Sequence, residues 1–140
     1  MEFSPNNNIV KLCLQGIGLE EKDKPEEASK LFLQAWNEAA NDFEKFIAAH
    51  YIARHQHDKA ENLKWNKLSL AHAIAADDEA IKSCYPSLYL NVGKSYEDIG
   101  DHSAAKQNYL TAKSYISYLP DDGYGRMITA GIEAGISRCP

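Results

Sequence analysis

Five histidines and three cysteines are the residues of this 140-residue chain best suited to chemistry. His55, Gln56 and His57 stand just before Asp58. Two imidazoles and a carboxylate within four residues are a conceivable metal-ligand set. The alternative is a polar turn with solvated imidazoles and Asp58 capping the helix that follows. The second alternative is the expectation, because the cysteines Cys13, Cys84 and Cys139 are scattered and form no C-x-x-C. His50 and Arg54, four apart, share a helix face and could meet an anion. No G-x-S-x-G, no P-loop and no G-x-G-x-x-G after a strand occurs. Gly123-Tyr124-Gly125 reads as a turn that opens a helix. The acidic pairs Glu20-Glu21, Glu26-Glu27 and Asp77-Asp78 fall at helix ends, where they cap or stay solvated. The expectation is a non-catalytic protein with no cofactor and no metal.

Charge narrows the partners. Fifteen basic against twenty acidic side chains leave a formal net charge of −5. A general nucleic-acid binder needs a basic face for phosphates, and a membrane-surface protein needs a polybasic patch. Tyrosines such as Tyr115 and Tyr118 could stack on bases, but the acidic balance opposes that use. No run of 18 apolar residues suggests a membrane span. The opening MEFSPNNNIVKLCL has neither a basic start nor a long apolar core, so no leader is expected. An odd, dispersed set of cysteines fits reduced thiols, and a cytoplasmic location follows as the expectation.

The periodicity that must position these residues is helical almost throughout. In PEEASKLFLQAWNEAA, the residues Ala28, Leu31, Phe32, Ala35, Trp36 and Ala39 recur at the helical spacing. Pro25 suits a first helical turn, and Glu26 and Glu27 suit its positive end. Around 103–117 the stripe is Ala105, Tyr109, Ala112 and Ile116, with Ser103 as a candidate cap and Gly100 as a terminator. Breaks at 22–25, 41–42, 55–58, 77–79, 100–103 and 120–123 divide the chain into helices near 7–21, 25–40, 42–55, 58–76, 80–99, 103–118 and 122–137. Pro86 places the main part of the fifth at 86–99. Short turns make neighbours antiparallel, which predicts an all-α single domain over 1–140. Its hairpins lie at about 7–40, 42–76 and 86–118, with a terminal helix at about 122–137.

Two stretches repeat each other. Tyr89, Val92-Gly93, Tyr96, Gly100, Ala105, Tyr109, Ala112 and Pro120 form one series. Leu12, Gly16, Leu19, Ala28, Phe32 and Ala35 form another, with 12 residues from Gly16 to Ala28 as from Gly93 to Ala105. The series resembles the tetratricopeptide repeat in its aromatic, glycine, alanine and trailing proline positions. A middle copy is degenerate. Ala49 and Ile52 stand for Gly93 and Tyr96, but Glu61 falls where alanine is wanted, and Ala49 to Gly93 is 44 residues against 33 from Gly16 to Ala49. The last helix has no partner, and Ile128, Ile132 and Ile136 form a stripe that can cover the third hairpin.

The resemblance implies an α-α superhelix of three hairpins and a terminal helix, with a concave face built from the first helix of each. It implies a scaffold that binds a peptide or partner protein there. Some family members clamp a chaperone C-terminus with lysine, asparagine and arginine. The matching positions here are Cys13, Ile17, Ile47, Ser87 and Asn91, so that clamp is absent. Aligning the first helices gives three rows: Cys13, Phe46, Leu90; Ile17, His50, Lys94; and Glu21, Arg54, Asp98. The expected binding residues are Phe46, His50, Arg54, Leu90 and Lys94, for a peptide with an apolar residue beside an acidic group. In the bland alternative Arg54 pairs with Glu21 and Asp98 as a surface ion row. Two other functions stay in view. One is a self-assembling homodimer, which exposed apolar residues on the terminal helix would favour; the other is a regulatory domain of an enzyme, which no motif supports.

Overall fold

The computed structural model describes residues 4–140. Residues 1–3, part of the stretch read for a leader, lie outside the described residues. The chain is all-α, and no strand occurs among the described residues. It divides into two compact units, one ending at Ala76 and the other running from Asp77 to Pro140.

In the first unit, α1 spans Asn8–Glu21, α2 Pro25–Glu38, α3 Asp42–Ala53 and α4 Lys59–Ala76. Each start has a local cause. The Asn7 side chain accepts from the Ile9 and Val10 amides at 2.8 and 3.0 Å. Pro25 opens α2, where its missing N–H costs nothing. The Asn41 side chain accepts from the Glu44 amide at 2.9 Å, and Asp58 does the same for Glu61 at 2.9 Å. α1 packs on α2 and α3 on α4, while α3 also meets α1 and α2. Ala28, Phe32, Ala35, Phe46, Ala48, Ala49 and Ala73 lie in the core between them. Lys45 donates to the Trp36 carbonyl at 2.8 Å, beyond which α2 soon ends, and sits 4.1 Å over the Trp36 ring. The buried Ser69 hydroxyl donates to the Phe46 carbonyl at 3.0 Å.

The second unit begins with a 3-10 helix, Glu79–Cys84, and continues with α5 at Tyr85–Asp98 and α6 at His102–Ser114. A second 3-10 helix, Ile116–Tyr118, precedes α7 at Gly123–Arg138. These two short segments, which the periodicity does not separate from their neighbours, raise the helical segments to nine among the described residues. Pro86 sits in the first turn of α5, so the break before the main helix falls at Tyr85. Asp101, not Ser103, caps α6: its carboxylate accepts from the Ala104 amide at 3.1 Å. The reason is the turn ahead of it. Gly100 adopts φ +88°, and that left-handed step delivers the following residue to the cap position. α5 and α6 pack closely, and α7 lies against both.

The two units contain the same turn. In α5–α6 the Gly100 amide donates to Glu97 O at 3.0 Å and the Asp101 amide to Tyr96 O at 3.0 Å. In α1–α2 the Asp23 amide donates to Glu20 O at 3.0 Å and the Lys24 amide to Leu19 O at 2.9 Å. These are the paired bonds of a left-handed helix stop, with Asp23 at φ +59° where the other copy has glycine. Both hairpins also close on an aromatic ring. A Cβ on Gly16 would lie 2.4 Å from the Phe32 ring, and one on Gly93 would lie 2.8 Å from the Tyr109 ring. Neither contact is one that a real Cβ makes, so only glycine lets those helices approach as they do.

Candidate functional site

Phe46 and His50 occupy successive turns of α3 in the first unit, and Arg54 caps its C-terminal end. Phe46 is only 4% exposed and meets Phe43 edge-on at 6.4 Å. It therefore supports the helix from beneath rather than offering a surface. His50 keeps an edge in solvent, but its Nδ1 is sealed and has no hydrogen-bond partner. Burial, and then the Arg54 charge, push its pKa down to about 4. The ring is thus neutral at physiological pH.

Arg54 is exposed and tied. Its Nη2 donates to Glu20 Oε1 at 3.0 Å, and its guanidinium lies 5.1 Å over the Tyr51 ring. Glu20, not Glu21, is the partner. His55 Nε2 lies 2.6 Å from the other Glu20 oxygen, and the His55 ring lies 5.6 Å from Phe32, which stacks on Tyr51 at 5.2 Å. His55 is therefore occupied by a carboxylate on α1. His57 is exposed, and among the described residues no group of three or more metal-ligating side chains forms.

Leu90 and Lys94 lie one turn apart on α5 in the second unit. Leu90 is half-buried against Ala112, Ile128 and Ile132, while Lys94 is exposed. One turn nearer the helix end, Glu97 accepts from the Tyr109 hydroxyl at 2.7 Å and from Arg138 Nε and Nη2 at 2.8 and 3.1 Å. Arg138, followed by Tyr109, holds the Glu97 carboxyl below the usual carboxylate range. Burial and the same carboxylate raise the Tyr109 phenol. Cys139 Sγ lies 3.7 Å from His102 Nδ1, but the thiol is only 2% exposed. Cys13 is likewise sealed, and burial pushes its thiol up to about 12.

Comparison with protein-family models, with curated proteins and with solved structures finds no match to this chain.

Of the five residues picked from the sequence, two thus stand on one face of α3, Arg54 follows as its C-cap, and two stand on α5. Glu97 escaped the sequence reading, and Glu20 was read there only as a capping or solvated residue, whereas it binds Arg54 and His55. A signal for them existed: each follows the repeat glycine, Gly16 or Gly93, by four residues. Open depressions lie elsewhere among the described residues. One, of about 480 Å3, runs along α4 past Ala60, Leu63, Lys64, Lys67, Leu68 and Ala71. Another, of about 490 Å3, lies beside the start of α7 between Ile116, Leu119, Pro120, Gly125 and Thr129. No helix among the described residues is long and apolar enough to cross a membrane.

Proposed function

We propose that this chain is a non-catalytic interaction module of tetratricopeptide type, an α-α superhelix of three hairpins and a terminal helix. It binds a peptide or partner protein. The observation that carries the reading is the pair of glycine–aromatic closures, Gly16 on Phe32 and Gly93 on Tyr109, each spanning 16 residues. The matched left-handed helix stops at Asp23 and Gly100 support it independently. Repeated hairpins stacked in series make extended surfaces that take extended ligands.

In the first unit the contacts come from His50 and from Arg54 at the end of α3, with Phe46 beneath His50; in the second they come from Lys94 on α5, one turn from Leu90. Lys94 and Arg54 favour an acidic group on the ligand, and the neutral His50 ring tolerates an apolar neighbour. The test is a library of short peptides, each with one large apolar residue beside an acidic pair, read by fluorescence anisotropy. Binding is expected to weaken on the order of tenfold in Arg54→Ala with Lys94→Glu, as for loss of two charge contacts, while circular dichroism and the melting curve stay close to wild type. No bound peptide, or equal binding by the double variant, overturns the site.

One observation favours a second reading, self-assembly: Met127 and Tyr124 on α7 are 61% and 46% exposed.

A further inference from the structure

α7 has two faces of different character. Gly125, Ile128, Ile132 and Gly135 are buried against the rest of the second unit. The opposite face exposes Met127, Ala130 and Ala134, flanked on one edge by Arg126 and Glu133. At 100° per residue these positions form one continuous stripe. Its composition is graded. The large Met127 stands in the first half, whereas Ala130, Ala134 and Ser137 follow it. The charges are graded too: Arg126 comes first, and Glu133 follows seven residues later on the same edge.

A helix with this grading complements itself when reversed. Turned end for end about a two-fold axis near Thr129, its bulky half meets a small half twice. Met127 then packs over Ala130 of the second copy, and Arg126 reaches Glu133. By symmetry each contact occurs again on the other side. A parallel two-fold would carry the Arg126–Glu133 edges of the two copies to opposite sides of the interface, where these charges do not meet. The intrachain partners of the two charges do not compete strongly. Arg126 stands 3.8 Å from a fully exposed Asp121, and Glu133 pairs with Lys113 in solvent. Such pairs are worth little.

We infer that the outer face of α7 is the contact through which two copies of this chain pair antiparallel. The inference rests on the self-assembly reading and gives it a surface and a symmetry. One helix face against another buries on the order of 1,000 Å2 in total, the low end for a specific interface, so the dimer exchanges and depends on concentration.

Sedimentation velocity of the full chain across the micromolar range tests it. The sedimentation coefficient of wild type is expected to rise with concentration, and Met127→Glu to hold it at the monomer value. Arg126→Glu or Glu133→Arg alone breaks two ion pairs at once and weakens dimerisation on the order of tenfold. Arg126→Glu combined with Glu133→Arg restores it to within about twofold, because the pairs re-form with reversed sign. All three positions are exposed, and circular dichroism confirms that each variant is folded. Association that survives Met127→Glu, or a double variant no better than either single one, overturns the α7 contact while self-assembly stands. A wild type that is monomeric at every concentration overturns both. Neither result touches the peptide contacts on α3 and α5.

Discussion

His50 is the residue whose chemistry the fold changes most. Its Nδ1 is buried without a partner, and its pKa falls to about 4 from an ordinary value of 6.5. In the unfolded chain the imidazole takes up a proton below about pH 6.5; in the folded chain it resists until about pH 4. Its contribution to stability is therefore intact above the unfolded value and is lost as the pH drops between the two. Between pH 7.5 and pH 5 the loss is about 2 kcal/mol. Glu97 works in a lower window, because its depressed carboxyl contributes stability above its unfolded value and loses it only as the pH falls further. Urea melts of wild type and His50→Leu at the two pH values should differ in their pH response by that amount. Equal responses would show that His50 is not what the acid limb reports. Tyr109→Phe offers a second check. It removes a 2.7 Å hydrogen bond to the Glu97 carboxylate and should cost about 2 kcal/mol, the usual scale for a bond to a charged group. A melting temperature that did not move would remove Tyr109 from the Glu97–Arg138 cluster.

At the scale of elements, the two copies of the hairpin turn make a natural comparison. Asp23 holds φ +59° where the second copy has Gly100 at φ +88°. A left-handed backbone costs an aspartate more than a glycine, so Asp23→Gly should stabilise the chain by about 0.5–1 kcal/mol, despite the added freedom of the unfolded state. Gly100→Ala should destabilise it by about 1 kcal/mol. Opposite signs in the two denaturant midpoints are the expected result; the same sign would separate the two turns. The helix faces are tighter. The fully buried Tyr109 ring lies between α5 and α7, with a Cβ on Gly93 2.8 Å and one on Gly135 2.6 Å from its atoms. Gly135→Ala should therefore cost about 1–3 kcal/mol, as overpacking does. A neutral melt would mean that α7 shifts freely on α6.

For the whole molecule, the division falls between Ala76 and Asp77. Asp77 itself takes φ +48°, and residues 77–80 are exposed. Backbone that carries no packing is where proteases enter first. Limited digestion with an enzyme that cuts at acidic residues should give an early cut within Asp77-Asp78-Glu79, before any cut at Glu61 or Glu133 inside α4 or α7. Simultaneous cleavage at all of these would indicate that the helices open as readily as the connection.

Much of this was legible from residue order because its causes are local. Pro25, Asn41, Asp58 and Gly100 mark helix limits through the backbone groups of their own neighbours, and the segment boundaries they predict agree closely with the helices seen. Gly16 with Phe32 and Gly93 with Tyr109 were visible as spacings, since hairpins of equal length bring equal offsets together. What the order of residues left open depends on how helices rotate about their own axes. Glu20 and Glu21 differ by 100° on α1, and only the packing of α1 on α3 selects Glu20 for Arg54 and His55. The same rotation puts Phe46 inside while Arg54, two turns along the same face, reaches solvent. It leaves Nδ1 of His50 without a partner, and it turns Met127 outward from a helix whose isoleucines face in. Local propensity sets where a helix begins and ends; the face it buries is decided by the neighbours it meets, and those lie far away in the chain.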